Sequence, residues 1–303
     1  MKSKSIAAIV AVLILLALSW YLFIKDYNYK ITFKTSLPPG AVYASLSNWD
    51  HLQIINSDSI IIGEVKPFEE ISYTLLEKDS SFKFVYNINR TEGNETKIVT
   101  YVTDMKNGFS QNIAVPFKKN DFVNRSVSET KLFLTYLKSL EETYAVEVVE
   151  DSTFVIPSKN IAYININSRI DAKANMMATY IVYLMGYIRE FDIPLDGDPF
   201  LKVNKIDLQT KMIEYEFCFP IKKMDSMPER RNIYFKETPA TNAIKANFRG
   251  NYRNTEFAWY ELMDYAKRNN IDVLEQPLEI YLNDPQSGTN SIDWKADVYL
   301  PIK

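Results

Sequence analysis

Cysteine and histidine are almost missing from this chain of 303 residues, which has one of each, Cys218 and His51. A single cysteine excludes an intrachain disulfide framework and any thiolate metal cage. Cys218 lies in the alternating stretch Tyr215, Glu216, Phe217, Cys218, Phe219, where a small apolar strand residue is a better account than a nucleophile. Any triad or Cys-His pair would have to use His51, which follows Trp49 and Asp50 in a loop-like stretch and is not read as catalytic. Glycine is also scarce, at eight residues, so phosphate-cradling loops are not expected. The nucleophile-elbow, P-loop, dinucleotide-binding and zinc-protease motifs are all missing. The loop Asn283 to Ser291 has too few regularly spaced acids for calcium. No metal and no cofactor is therefore expected. A surplus of positive charge is lacking as well: 35 Lys and Arg are interleaved with 38 Asp and Glu, so no basic field exists to hold a phosphate backbone, and nucleic acid is not an expected partner. The sequons at Asn89, Asn94 and Asn124 are read as chance occurrences.

What the chain does have begins at its N-terminus. Residues 6–24 carry no charge and only Ser19 as a clearly polar side chain. As a helix they would span roughly 28 Å, about the thickness of a bilayer's hydrocarbon core. Trp20 and Tyr21 suit a membrane interface, and Lys2 and Lys4 precede the run. A transmembrane helix within residues 1–27 is the expectation, with a cleaved signal peptide as the alternative, since Ala17, Leu18 and Ser19 have cleavage-site spacing. Lysines on the two sides nearly balance; the reading places the rest of a single-pass protein outside the cytoplasm.

Residues 28–145 read as mostly strand closed by one helix. Tyr29, Ile31 and Phe33 alternate with lysine and threonine, and further alternating runs cover 59–65, 71–77, 82–88, 97–103 and 110–115. Ser126 to Glu129 has the pattern of a capping box, ahead of a helical stripe of Phe133, Leu137 and Leu140 with Tyr136 and Tyr144 beside it. This order, with Pro38 to Tyr43 leading to Asn48 and Trp49, resembles the START-like or SRPBCC superfamily, which implies a helix-grip sheet wrapped round its last helix.

Residues 146–303 contain an internal repeat. Ile193 to Leu201 followed by Ile213 to Ile221 lies over Ile271 to Glu279 followed by Trp294 to Ile302. Pro199 and Pro277 are 78 positions apart and Pro220 and Pro301 are 81, the difference falling in the loop Asn283 to Ser291. Each copy opens with a strand, Ile161 to Asn167 and Ala243 to Phe248, and then carries an amphipathic helix. In the first helix Met177, Tyr180, Ile181, Leu184 and Ile188 form the apolar stripe. In the second, Ala258, Trp259, Leu262, Met263 and Ala266 oppose Glu261, Asp264, Lys267 and Arg268. The unit is β-α-β-β, and two copies sharing one sheet make an α+β domain with both helices on one face.

Gly250, Asn251 and Tyr252 before the second helix, then Leu278 to Pro285, then Trp294 to Pro301 and Ile302, resemble the GyrI-like family of effector-binding domains. The resemblance implies a ligand groove in the middle of the sheet, lined by aromatics and one acid. The repeat points to the same acid independently, because Glu279 aligns with Leu201: one copy is acidic where the other is apolar. Tyr281 shares the strand face of Glu279, and Tyr163, Tyr252, Trp259 and Trp294 are the candidate rings from neighbouring elements. Such a site suits a cationic or amphipathic ligand. Asp297 aligns with Glu216, and a residue type shared by both copies suits the fold better than a ligand contact. The expected function is a membrane-anchored small-molecule-binding protein without a DNA-binding domain. The alternative is a hydrolase that uses Glu279 and Tyr281 as acid and base.

Overall fold

The computed structural model describes residues 2–49, 59–77, 79–91, 95–150, 152–224 and 226–303, so His51 and Asn94 lie outside the described residues. The chain divides into two compact units, Met1–Lys138 and Ser139–Lys303. Helix α1, Lys2–Ser19, gives way to a π-helical turn, Trp20–Ile24. Among the described residues no helix is long and apolar enough to cross a membrane. Leu13, Leu15, Leu16 and Phe23 are nonetheless exposed.

The rest of the first unit is built on five antiparallel strands: β1 (Tyr29–Thr35), β2 (Ser59–Lys66), β3 (Glu70–Leu76), β4 (Ser81–Arg90) and β5 (Thr96–Asp104). They lie in the order β1-β5-β4-β3-β2. Helix α2 (Pro39–Ser47) starts with proline in its first turn, where a missing N–H costs nothing. Two expectations fail here. Residues 110–114 belong to a helix, α3 (Gly108–Ala114), with Val115 as its C-cap, and not to a strand. Asp104 accepts from the N–H groups of Lys106 and Asn107 and from Gln111, which turns the chain into a helix. The segment Ser126 to Glu129 lies inside helix α4 (Asp121–Glu141), and Asn120 accepts from Val123 N–H at its start instead. Alternate residues of β4 are buried, and Tyr86 meets Phe133 of α4 edge-on.

The second unit is one nine-stranded sheet. Its strands are β6 (Tyr144–Val148), β7 (Phe154–Ile156), β8 (Lys159–Arg169), β9 (Phe200–Asp207), β10 (Met212–Pro220), β11 (Tyr234–Thr238), β12 (Thr241–Gly250), β13 (Leu278–Tyr281) and β14 (Lys295–Pro301). Helices α5 (Lys173–Glu190) and α6 (Glu256–Arg268) complete it. Tyr144, placed on a helical stripe by its spacing, lies on β6 and stacks on Phe248. Both copies of the repeat are present, as β8-α5-β9-β10 and β12-α6-β13-β14. The sheet order β11-β8-β10-β9-β13-β14-β12-β6 places them back to back, joined through β9 and β13. The register makes this a pseudo-twofold: Leu201 pairs with Glu279, its own counterpart, so the axis passes through that pair.

Alternation along the strands divides the sheet into two faces. Ile164, Leu201, Tyr215, Phe217, Glu279 and Val298 are buried on the face that carries the helices. The other face holds a smaller cluster of Ile161, Phe200, Cys218 and Leu278, flanked by Tyr163, Ile280 and Tyr299. Helix α5 packs mainly on β8, and α6 on β14, β12 and β6. The two helices therefore flank the joint between β9 and β13. Lys267 and Arg268 lie in solvent as expected, but Glu261 is buried.

Candidate functional site

Where the two helix starts meet, side chains from β13, the start of α5 and the N-terminal part of α6 converge on the axis. Glu279, on β13, has no exposed surface. Its Oε1 accepts from Lys173 Nζ at 2.6 Å. Its Oε2 accepts from Thr255 Oγ1 at 2.9 Å and from the Tyr281 hydroxyl. Lys173, equally buried, also donates to Thr255 Oγ1 at 2.6 Å, and its Nζ lies 3.4 Å from Glu256 Oε2 and 4.6 Å from the centre of the Trp259 ring. Thr255 has a single proton and two acceptors in reach, Glu279 and the Tyr252 carbonyl at 2.8 Å, so the two share it.

Helix geometry explains why these groups meet. Lys173 and Glu256 are the first residues of α5 and α6, and the axis brings both helix starts together; by repeat position Lys173 corresponds to Thr255, each directly following a short turn, Ile170–Ala172 or Tyr252–Asn254. Glu256 suits the positive end of a helix dipole. Lys173 opposes it, so its position is held by the acids and not by helix electrostatics. The frame is thus twofold while its chemistry is not: lysine faces glutamate at the helix starts, and leucine faces glutamate on the strands.

Electrostatics follow from burial. Being taken out of water raises the Glu256 carboxyl to about 7, with the charge of Glu279 adding to the rise and Lys173 opposing it. Burial and the neighbouring Glu279 push the Tyr281 phenol well above its ordinary range, so it serves as a proton donor to that carboxylate. Tyr215, whose hydroxyl donates to the Lys173 carbonyl at 3.4 Å, is pushed up to about 12, chiefly by burial. Glu256 Oε2 and Trp259 Nε1 are buried without a hydrogen-bond partner among the described residues.

Of the residues singled out from sequence, Glu279, Tyr281 and Trp259 come together in this cluster. Tyr252 adjoins it, its ring 4.7 Å from that of Tyr281. The Tyr252 hydroxyl donates to the Lys295 carbonyl at 2.7 Å and accepts from Asn283 N–H at 3.1 Å. Trp294 is one step further out, 5.1 Å from Tyr252, with its Nε1 donating to Thr289. Tyr163 does not belong: it lies on the opposite face of the sheet, 5.6 Å from Tyr234 and under Lys236 Nζ at 4.5 Å. One residue along β8 reverses a side chain, and the alternation of Ile161 to Asn167 could not say which set faced the helices. Glu216 and Asp297 lie on that same opposite face and pair with Lys236 at 2.6 Å and Lys245 at 2.8 Å; the acids correspond in the two copies, while the lysines come from β11 and β12.

Lys173, Thr255 and Glu256 were missed. The signal that could have found the first two is the offset between the opening strands, Ile161 over Ala243, which sets Lys173 against Thr255. No group of three or more His, Cys, Asp or Glu that could hold a metal occurs among the described residues.

Residues 200–303 match the family model described as a GyrI-like small molecule binding domain, a stretch that takes in the second copy and the last two strands of the first. Several solved structures are similar at low identity. The EcmrR C-terminal domain is 18% identical with a TM-score of 0.44, over 53% of this chain and 98% of that one. The EcmrR–DNA complex gives 18% and 0.45, over 59% of this chain and 65% of that one. SAV2435 bound to tetraphenylphosphonium gives 11% and 0.37, over 52% and 94%. No curated protein matches the chain.

Proposed function

With a GyrI-like domain at residues 200–303 as the premise, we propose that the second unit binds an amphipathic small molecule at the repeat joint. One observation carries the reading: a fully buried ion pair, Lys173 with Glu279, sits on the twofold axis where the matching residue of the other copy is leucine. A buried ion pair is a poor way to stabilise a core, since well-packed apolar side chains serve as well or better. Its presence at the point where the helices part fits recognition. Trp259, Tyr281 and Tyr252 place buried rings beside the charges. The test is fluorescence titration of the solubilised chain with a panel of amphipathic compounds. Saturable binding that weakens about ten-fold or more in Glu279→Gln, with near-ultraviolet circular dichroism unchanged, is the expected outcome. Equal affinity in the variant would remove Glu279 from the site.

In the same reading, the apolar stretch 6–24 attaches the chain to a membrane. Its support is a run of large apolar side chains exposed in the structure, including Leu13, Leu15, Leu16 and Phe23. The two units then lie outside the cytoplasm, and no nucleic acid is bound. Protease accessibility in spheroplasts tests the side.

A second reading, a hydrolase using Glu279 and Tyr281, is favoured by their hydrogen bond. Tyr281, its phenol held far above neutrality, would act there as the acid. Turnover of small electrophiles above a Glu279→Gln background would bring this reading forward, and its absence would remove it.

A further inference from the structure

We propose that Lys173 is a built-in occupant of the cation position at the repeat joint, a specificity-determining residue that turns external organic cations away and leaves the site to uncharged amphipathic molecules. The inference rests on the joint being the ligand site.

Every contact that a bound organic cation would be expected to make here is already made from within the chain. An ammonium needs a carboxylate, further acceptors and a ring face. Lys173 Nζ has Glu279 at 2.6 Å, Thr255 at 2.6 Å, Glu256 at 3.4 Å and the Trp259 ring at 4.6 Å. Glu279 keeps no oxygen for an outside cation, and it serves an uncharged ligand by holding Lys173, Thr255 and Tyr281 in place. One oxygen is taken by Lys173 and the other by Thr255 and Tyr281, and the residue has no exposed surface. A lysine at the first residue of a helix is placed against the helix dipole, so the helix itself gives no reason for it.

The remaining carboxylate is a poor seat for a cation. Burial raises the Glu256 carboxyl to about 7, so it is only partly ionised at neutral pH, and its Oε2 already lies 3.4 Å from the Lys173 ammonium. An incoming cation would also meet the Lys173 ammonium at contact range, at a depth where little water screens the repulsion. An uncharged molecule with an apolar body escapes that repulsion. It can accept from Trp259 Nε1, a buried donor without a hydrogen-bond partner among the described residues, and donate to Glu256 Oε2, whose 3.4 Å contact with Lys173 is an ion pair without an aligned hydrogen bond.

The test uses two probes of similar shape, tetraphenylphosphonium and uncharged triphenylphosphine oxide. They are titrated by calorimetry into the solubilised full chain, with protein-free detergent as the blank. The wild type is expected to bind the oxide at least as tightly as the phosphonium. Lys173→Met keeps the apolar stem, removes the charge and frees Glu279. It should bind the phosphonium about ten-fold or more tighter than the wild type, with the oxide little changed. The gain should vanish in the double variant with Glu279→Gln. Lys173→Gln, which keeps a hydrogen-bond donor, is read in the same way if the methionine variant does not fold. A wild type that prefers the phosphonium about ten-fold or more would overturn the proposal, as would a folded Lys173→Met without the gain. If the oxide binds and only the gain is missing, this inference fails alone. If neither probe binds either protein, the ligand-site reading falls with it.

Discussion

Lys173 and Glu279 depend on each other, because each is fully buried and each is the other's opposite charge. Lys173→Ala leaves a buried carboxylate unpaired and should cost about 3–5 kcal/mol in urea unfolding. Replacing both, as Lys173→Met with Glu279→Leu, should recover most of that loss. A double variant as unstable as the single one would show that the pair holds the fold together. Glu256 gives a pH signature. Its folded carboxyl is raised from 4.5 to about 7, so burial favours the neutral form. The stability it contributes is full below the unfolded value and is lost as pH rises through about 7, a loss of about 3 kcal/mol. Urea midpoints of the wild type should fall between pH 5 and 8, and Glu256→Gln should flatten that slope. At this scale the sequence was half legible. Glu279 stood out because its repeat partner is Leu201, and Tyr281 follows two residues on along the same strand face. Lys173 did not, because its partner lies 106 positions away and a lysine at the start of a helix looks like any solvated residue.

Among elements, the joint between β9 and β13 decides the geometry. The two copies were legible because proline spacing and strand alternation recur, and the pairing of Leu201 with Glu279 follows once the copies share a sheet. The edge strands β6, β7 and β11 were not, since short runs paired at a sheet margin carry little alternation to read. Residues 110–115 were misread because Phe109 and Ile113, one helical turn apart, are both exposed and leave no buried stripe. Gly250 marks how tightly β12 closes against β6. Its φ is +140°, and a Cβ there would lie 2.8 Å from Tyr144 Cβ and 2.9 Å from the Thr143 carbonyl oxygen. Both strain and overlap oppose a side chain, so Gly250→Ala should destabilise the second unit by about 1–3 kcal/mol. A melting temperature equal to wild type would contradict that account.

For the whole molecule, the proposed function joins a membrane attachment through residues 6–24 to a binding unit. The chain should stay in the membrane pellet after carbonate extraction, and deletion of residues 1–24 should release it to the supernatant. Release of the intact chain by carbonate would argue against residues 6–24 as an anchor. The central claim concerns which face of the nine-stranded sheet meets a ligand, since aromatic rings and ion pairs occur on both. Photo-crosslinking the full chain with an uncharged diazirine-bearing amphipath, then mapping the adducts by mass spectrometry, tests it directly. The account predicts adducts at Trp259 and Met177 on the helix-bearing face, lost in Glu279→Gln. Adducts centred on Tyr163 and Tyr299 would place the site on the opposite face and contradict it.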